Sequence, residues 1–306
     1  MAGRIDVHHH FIPPAVLEAL DKAGRVPLGW QASAWSPEND RKMCQNLGIA
    51  TSILSVIPFG GVVFKGAEGA RLARQCNEYG KSIRDAQPQQ YGFFATLPDL
   101  INTELAIQEI RYALDECKAD GVALWPFYGE GDHDLGGHRN LQLIWEELNR
   151  RHAVVFVHPI REYDTTRAAI DLIMTDTIRK YPNCKVILPC GGGCLPYLAA
   201  RPAVILADMK LSSLTRGEFL ECARTFYIDT ALTDGQFALS LLRQFAKPDR
   251  ILFGSDFPLP PTASIKYFAD SQNIAELSQD EKENFAWKNA LKLFPRLQSQ
   301  CENEEK

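Results

Sequence analysis

Four side chains spread over most of the chain have the types to do metal chemistry together: His8 and His10 near the start, His158 in the middle and Asp256 towards the end. The stretch Ile5-Asp6-Val7-His8-His9-His10 reads as a strand. Alternation along it puts His8 and His10 on one face, about 7 Å apart, and His9 on the other. Two imidazoles so placed chelate one ion with little reorganisation. His158 follows the apolar run Ala153-Val154-Val155-Phe156-Val157, and Asp256 follows Ile251-Leu252-Phe253-Gly254-Ser255. Three imidazoles and a carboxylate suit a catalytic divalent ion that keeps one position open for water or substrate. Plainer readings exist: a tag remnant or polar arm for the N-terminal histidines, a satisfied strand-end histidine for His158, and a turn-forming aspartate for Asp256. They weaken because all four residues end strand-like runs, and because the N-terminal histidines continue directly into Phe11-Ile12-Pro13-Pro14.

Such residues need a scaffold that brings strand ends together. Eight β-rich runs recur along the chain: Arg4–His8, Thr51–Ile57, Tyr91–Thr96, Gly121–Trp125, Ala153–His158, Lys185–Pro189, Thr225–Asp229 and Arg250–Ser255. Helical patterns separate them, among them Pro37–Leu47, Ala67–Ala86, Thr103–Cys117, Leu141–Arg151, Thr166–Lys180, Leu195–Lys210, Gly235–Phe245 and a C-terminal Asp280–Leu293. Ser, Asp or Thr often begins a helix, and Gly or Pro often divides helix from strand. This alternation predicts a (β/α)₈ TIM barrel, a single domain over 1–306 with loop insertions over the C-terminal face. Catalytic groups of such barrels gather at the C-terminal strand ends, where the four residues fall. The segments Gly24–Pro37 and Tyr128–Arg139 read as long loops after strands one and four, overhanging that face.

Bulk properties narrow the function. The chain has 306 residues, 45% hydrophobic and 23% charged, enough for a large core. A net charge of -5 with scattered lysines and arginines gives no footprint for nucleic acid. No apolar run is long enough for a bilayer and no signal-peptide pattern opens the chain, so a cytoplasmic protein with no membrane partner is expected. The eight cysteines form no CxxC pair and read as reduced thiols, most of them small core residues.

The motifs Ile5-Asp6-Val7-His8-His9-His10, Val155-Phe156-Val157-His158-Pro159, Gly191-Gly192-Gly193 and Ile251-Leu252-Phe253-Gly254-Ser255-Asp256-Phe257-Pro258 resemble the amidohydrolase superfamily. Within it they are similar to the branch holding aminocarboxymuconate-semialdehyde decarboxylase and the aromatic-acid decarboxylases. Asn289-Ala290-Leu291-Lys292-Leu293-Phe294 resembles that branch's closing helix, and the pattern around Gly29-Trp30, Trp35-Ser36-Pro37-Glu38 and Gly48-Ile49-Ala50-Thr51-Ser52 resembles fungal 6-methylsalicylate decarboxylases. The resemblance implies one divalent ion per subunit, zinc ahead of manganese, held by His8, His10, His158 and Asp256. It further implies a carboxy-lyase acting on a small aromatic or polyketide-derived acid, with Asp256 as ligand and proton donor. A related lyase, hydratase or hydrolase, or a pseudoenzyme that binds a small acid, is the alternative.

Strand six departs from that pattern. It ends in Pro189-Cys190 where the family usually carries a histidine that acts as base. A thiol does not shuttle protons near neutral pH unless its pKa is lowered. Cys190 is therefore an added soft ligand, a neutral wall beside the metal, or the mark of a changed reaction. Ring protonation tolerates this exchange better than water activation does, which points to an aromatic substrate. Trp125 and Trp30, with Trp35, read either as an aromatic wall for a planar substrate or as loop packing. Arg161 is placed to meet a carboxylate, or to make a helix-start salt bridge. Arg201 matches an arginine that in the muconate decarboxylase reaches a neighbouring subunit's substrate, which implies a homodimer; a surface ion pair is its plain alternative. Asp229, at the end of strand seven, is placed to orient a ligand. His133 and His138, in a Gly/Asp-rich loop, read as solvent-facing.

Overall fold

The computed structural model describes residues 3–24, 35–57, 63–128, 133–160, 163–272 and 276–298. Its strands are β1 (Arg4–Phe11), β2 (Ile49–Val56), β3 (Tyr91–Thr96), β4 (Gly121–Leu124), β5 (Phe127–Tyr128), β6 (His133–Asp134), β7 (Val154–Val157), β8 (Lys185–Leu188), β9 (Tyr227–Asp229) and β10 (Ile251–Leu252). Eight of them form a parallel sheet in the order β1-β2-β3-β4-β7-β8-β9-β10, while β5 and β6 make a separate antiparallel ribbon. The sheet closes on itself: the Val7 amide donates to the Phe253 carbonyl at 3.0 Å, and the His10 amide to that of Phe257 at 2.7 Å. This is the (β/α)₈ barrel that the alternation predicts, and each of the eight expected runs supplies one barrel strand.

The helices are α1 (Pro14–Lys22), α2 (Pro37–Leu47), α3 (Gly66–Ala86), α4 (Thr103–Arg111), α5 (Leu141–Arg150), α6 (Asp164–Met174), α7 (Thr177–Lys180), α8 (Leu195–Leu198), α9 (Ala200–Asp208), α10 (Arg216–Ala223), α11 (Ala238–Phe245), α12 (Thr262–Ser271), α13 (Gln279–Glu283) and α14 (Asn289–Leu293). Local chemistry sets several ends. Ser36 caps α2 by accepting the Asn39 amide at 3.1 Å, and Gly48 ends it in the left-handed region at φ 63°. Thr215 and Glu218 form a reciprocal capping box on α10. Four expected helices differ in detail: α4 continues as a π turn at Tyr112–Glu116, the 166–180 pattern breaks at Asp176, the 195–210 pattern bends by 46° between α8 and α9, and a π turn at Asn284–Lys288 separates α13 from α14. Among the described residues no single helix is long and apolar enough to cross a membrane.

Two apolar layers result. Strand residues facing out pack against the helices, and Ile5, Val7, Ile53, Phe94, Phe156 and Ile187 fill the barrel interior. Burial on both faces explains why the strands read as continuous apolar runs. Leu291, Phe294 and Leu297 from the C-terminal segment join the interior cluster.

The first strand is not regular. Asp6 pairs with Ser52 and His9 with Leu54, so three steps on β1 match two on β2. This β-bulge shifts the phase of the alternation. Ile5 and Val7 therefore face inward below it, His8 and His10 join His158 and Asp256 above it, and Asp6 and His9 share the outer side with Phe11.

Candidate active site

His8, His10, His158 and Asp256 meet at the C-terminal end of the barrel, each offering an atom that lies within 4.8 Å of the others. Asp256 Oδ1 stands 3.0 Å from His8 Nε2, 3.1 Å from His10 Nε2 and 4.0 Å from His158 Nε2. All four residues are buried, but the His158 and Asp256 side chains keep 10% and 12% exposure, so the cluster opens on their side.

Each imidazole is held from behind. His8 Nδ1–H donates to Asp229 Oδ2 at 3.1 Å, His10 Nδ1–H to Ser55 Oγ at 2.9 Å, and His158 Nδ1–H to the Pro159 carbonyl at 2.7 Å. Ser55 Oγ is fixed as acceptor there because its own hydroxyl points at the His9 carbonyl, 3.4 Å away. These partners place the lone pair of every Nε2 on the cluster. With all three rings neutral, His8 Nε2 and His158 Nε2, 3.0 Å apart, would meet lone pair to lone pair, an arrangement that a cation between them relieves. Three neutral imidazoles and a carboxylate fit a divalent ion of the zinc or manganese kind.

The charges around the group press the same way. Burial works against a charge on His8, yet Asp229 and Asp256 raise it well above its ordinary range. Burial pushes His10 down to about 3 and lowers His158 as well. Asp256 resists its burial because His8 and the other imidazoles hold it well below the usual carboxylate range. With no ion in place the two carboxylates thus draw a proton onto His8, and an ion at the centre would supply that positive charge instead.

Backbone geometry builds this corner. Asp256 has φ 62°, and its amide donates to the His8 carbonyl at 2.8 Å. A Cβ on Gly254 would come within 2.8 Å of His8 Cβ and 2.9 Å of Asp229 Oδ1, so only glycine lets that pair close. After β8, Cys190 sits at φ 54° and Gly191, Gly192 and Gly193 all have positive φ, the sharp turn that the glycine triplet announces.

Residues 5–296 match the amidohydrolase family. The chain belongs to that family. It is 43% identical to a 6-methylsalicylic acid decarboxylase of Penicillium expansum, with 96% of this chain and 97% of that protein aligned. A 6-methylsalicylic acid decarboxylase of Aspergillus aculeatus is 45% identical, with 96% of each covered. Among solved structures, a dihydroxybenzoic acid decarboxylase from Polaromonas, with bound manganese and the inhibitor 2-nitroresorcinol, superposes with a TM-score of 0.82 at 23% identity, covering 96% of this chain and 97% of that one. These likenesses agree with the family and the fold expected from the sequence motifs.

Other expected residues of this amidohydrolase fall in different places. Cys190 lies beside His8, its amide donating to Asp229 Oδ1 at 3.0 Å, but its sulfur is outside the four-ligand group. Burial pushes its thiol up to about 11. Trp125 is buried between Phe64, at 5.6 Å, and Tyr128, at 5.9 Å. Trp35 packs on Phe11 on the outer side of β1 and donates to Asp40, which fits loop packing and not a wall at the mouth. Arg201 is exposed and makes no ion pair to a described residue. Trp30, Arg161 and the side chain of His133 lie outside the described residues; His138 is half-buried, its Nδ1 accepting the Asn140 amide. Sequence reasoning reached Asp229 but missed Ser55, Asp6 and Asp40, whose only sequence signal is a polar residue inside an apolar or amphipathic run.

Proposed function

We propose that this amidohydrolase is a metal-dependent, non-oxidative decarboxylase of a 2-hydroxybenzoate, with 6-methylsalicylate as substrate, working in the cytoplasm in polyketide secondary metabolism. One domain spans 1–306 in this reading. The observation that carries it is the 43% and 45% identity, over nearly full length, to enzymes of that activity. The converging ligand group supports it.

His8, His10, His158 and Asp256 hold one divalent ion, zinc ahead of manganese. When bound, that ion would act as a Lewis acid and draw charge from the substrate ring. The residues supply the rest. The phenolic proton passes to the Asp256 carboxylate, and Asp256 delivers it to the ring carbon that bears the carboxylate. The bonding pair of the departing CO₂ returns to the ring and restores aromaticity. Trp125 backs the aromatic side of the pocket, while Trp30 and Arg161 are assigned to the ring and carboxylate.

Cys190 is the neutral wall among its three readings. A hydrolase or hydratase needs a base for water, and a thiol at about 11 stays protonated at neutral pH. Arg201 belongs to a homodimer interface in this proposal. It stands on a helical face with Tyr197, Val204, Ile205 and Met209, all of them exposed.

The test is CO₂ release and formation of 3-methylphenol from 6-methylsalicylate by purified, metal-supplemented protein, wild type beside Cys190→His. Wild-type turnover is expected. A silent wild type with an active Cys190→His variant would show that the native reaction has moved away from decarboxylation.

A further inference from the structure

We infer that His9 and Asp40 form a buried brace that holds the bulge of β1 and thereby aims His8 and His10. This rests on the reading of the four-residue group as a metal site. Neither residue touches that group. They act from the opposite face of the strand.

The bulge leaves Val7 and His8 without partner residues on β2. A buried amide needs an acceptor, and the His8 amide finds Asp6 Oδ1 at 3.1 Å. The same oxygen accepts the Ser255 amide at 3.1 Å, one residue before the ligand Asp256. Asp6 thus grips the backbone of two ligand-bearing strands at once. His9 in turn grips Asp6, with Nδ1–H on Asp6 Oδ2 at 2.9 Å, and Nε2–H on Asp40 Oδ2 at 3.0 Å. With a carboxylate within hydrogen-bond distance of each ring nitrogen, the imidazole is held from both ends. Asp6, His9 and Asp40 are each 0% exposed.

Asp40 anchors the far end. Its Oδ2 also accepts the Trp35 indole at 3.1 Å, and its Oδ1 accepts the Tyr91 hydroxyl at 2.8 Å. The brace therefore runs from α2 and β3, through His9, to the amides of His8 and Ser255. His9 lies between the two ligand histidines in sequence and packs, with its ring tilted by 46°, 5.1 Å from Phe257, the residue after Asp256. A buried polar chain whose members all find partners rigidifies its surroundings and fixes one geometry.

The experiment uses the full chain loaded with Co²⁺, whose visible spectrum reports ligand geometry, together with chelator competition for Co²⁺ affinity and urea unfolding. Asp40→Asn is compared with Phe294→Ala, which loosens the other end of the barrel. Asp40→Asn is expected to shift the Co²⁺ spectrum and weaken Co²⁺ binding by about tenfold or more, with kcat falling more than KM changes. Phe294→Ala is expected to lower the urea midpoint and leave the spectrum intact. Should Asp40→Asn fail to fold, Trp35→Phe, which removes one donor from the same carboxylate oxygen, must shift the spectrum in the same sense. A folded Asp40→Asn, or in its place Trp35→Phe, with the wild-type spectrum and affinity overturns the inference. Wild-type protein that takes up no Co²⁺ overturns the metal reading and the brace with it, a result distinct from the first.

Discussion

His10 depends on a partner that the chain delivers from 45 residues away. Ser55 Oγ takes its Nδ1–H inside a region closed to water. Ser55→Ala strands that hydrogen and frees the ring to change tautomer. The expected result is a metal affinity weakened by about 10–100-fold in chelator competition, with an unchanged circular dichroism spectrum; an affinity equal to wild type would remove Ser55 from the site. The ligands themselves were readable in the sequence because each ends a strand-like run, and a barrel sends strand ends to one place. Ser55, Asp6 and Asp40 were not, because what they do is defined by a contact. A buried serine in Ile53-Leu54-Ser55-Val56 looks the same whether it supports an imidazole or fills a gap.

At the scale of elements, the surface of α5 stores acid-sensitive stability. Glu147 is buried on that helix, and burial alone would raise its pKa, but Arg111, Arg150 and Arg151 bring it down from 4.5 to about 2. A folded-state value below the unfolded one means the stabilisation is present above pH 4.5 and drains away as pH falls towards 2. Arg111 and Arg150 are 57% and 61% exposed, so solvent screens much of the effect. Glu147→Gln should cost about 1 kcal/mol at pH 7 and flatten the fall in urea stability between pH 4.5 and 2; an unaltered slope would contradict this account. The eight strands and most helices were legible from periodicity and breakers. The π turns and the break at Asp176 were not, since these helices keep their apolar face across the irregularity. The bulge in β1 was hidden for a related reason: Ile5 and Val7 look natural in either phase, and only the register with β2 shows where the phase changes.

For the molecule as a whole, the exposed face of Tyr197, Val204, Ile205 and Met209 should be covered by a second copy. A double substitution, Val204→Asp with Ile205→Asp, is expected to convert a dimer to a monomer in sedimentation without loss of secondary structure; a wild type that sediments as a monomer would end the dimer proposal. At the opposite pole, Phe294 is 2% exposed beneath the barrel, packed on Phe94 at 6.1 Å. Phe294→Ala should cost about 3–5 kcal/mol, read as a lower urea midpoint, and a shift of under about 1 kcal/mol would show that the contact is dispensable.

The packing of Leu291, Phe294 and Leu297 under the interior cluster has a bearing on transport. Among the described residues the base of the cylinder is corked, which leaves its rim as the way in. Whatever acid goes in, the phenol and the gas it yields must come back out past the same rim, so exit of one molecule and arrival of the next are events in series. Added phenol should accordingly compete with incoming acid, and turnover at saturation should respond to solvent viscosity once the bond-breaking step is fast.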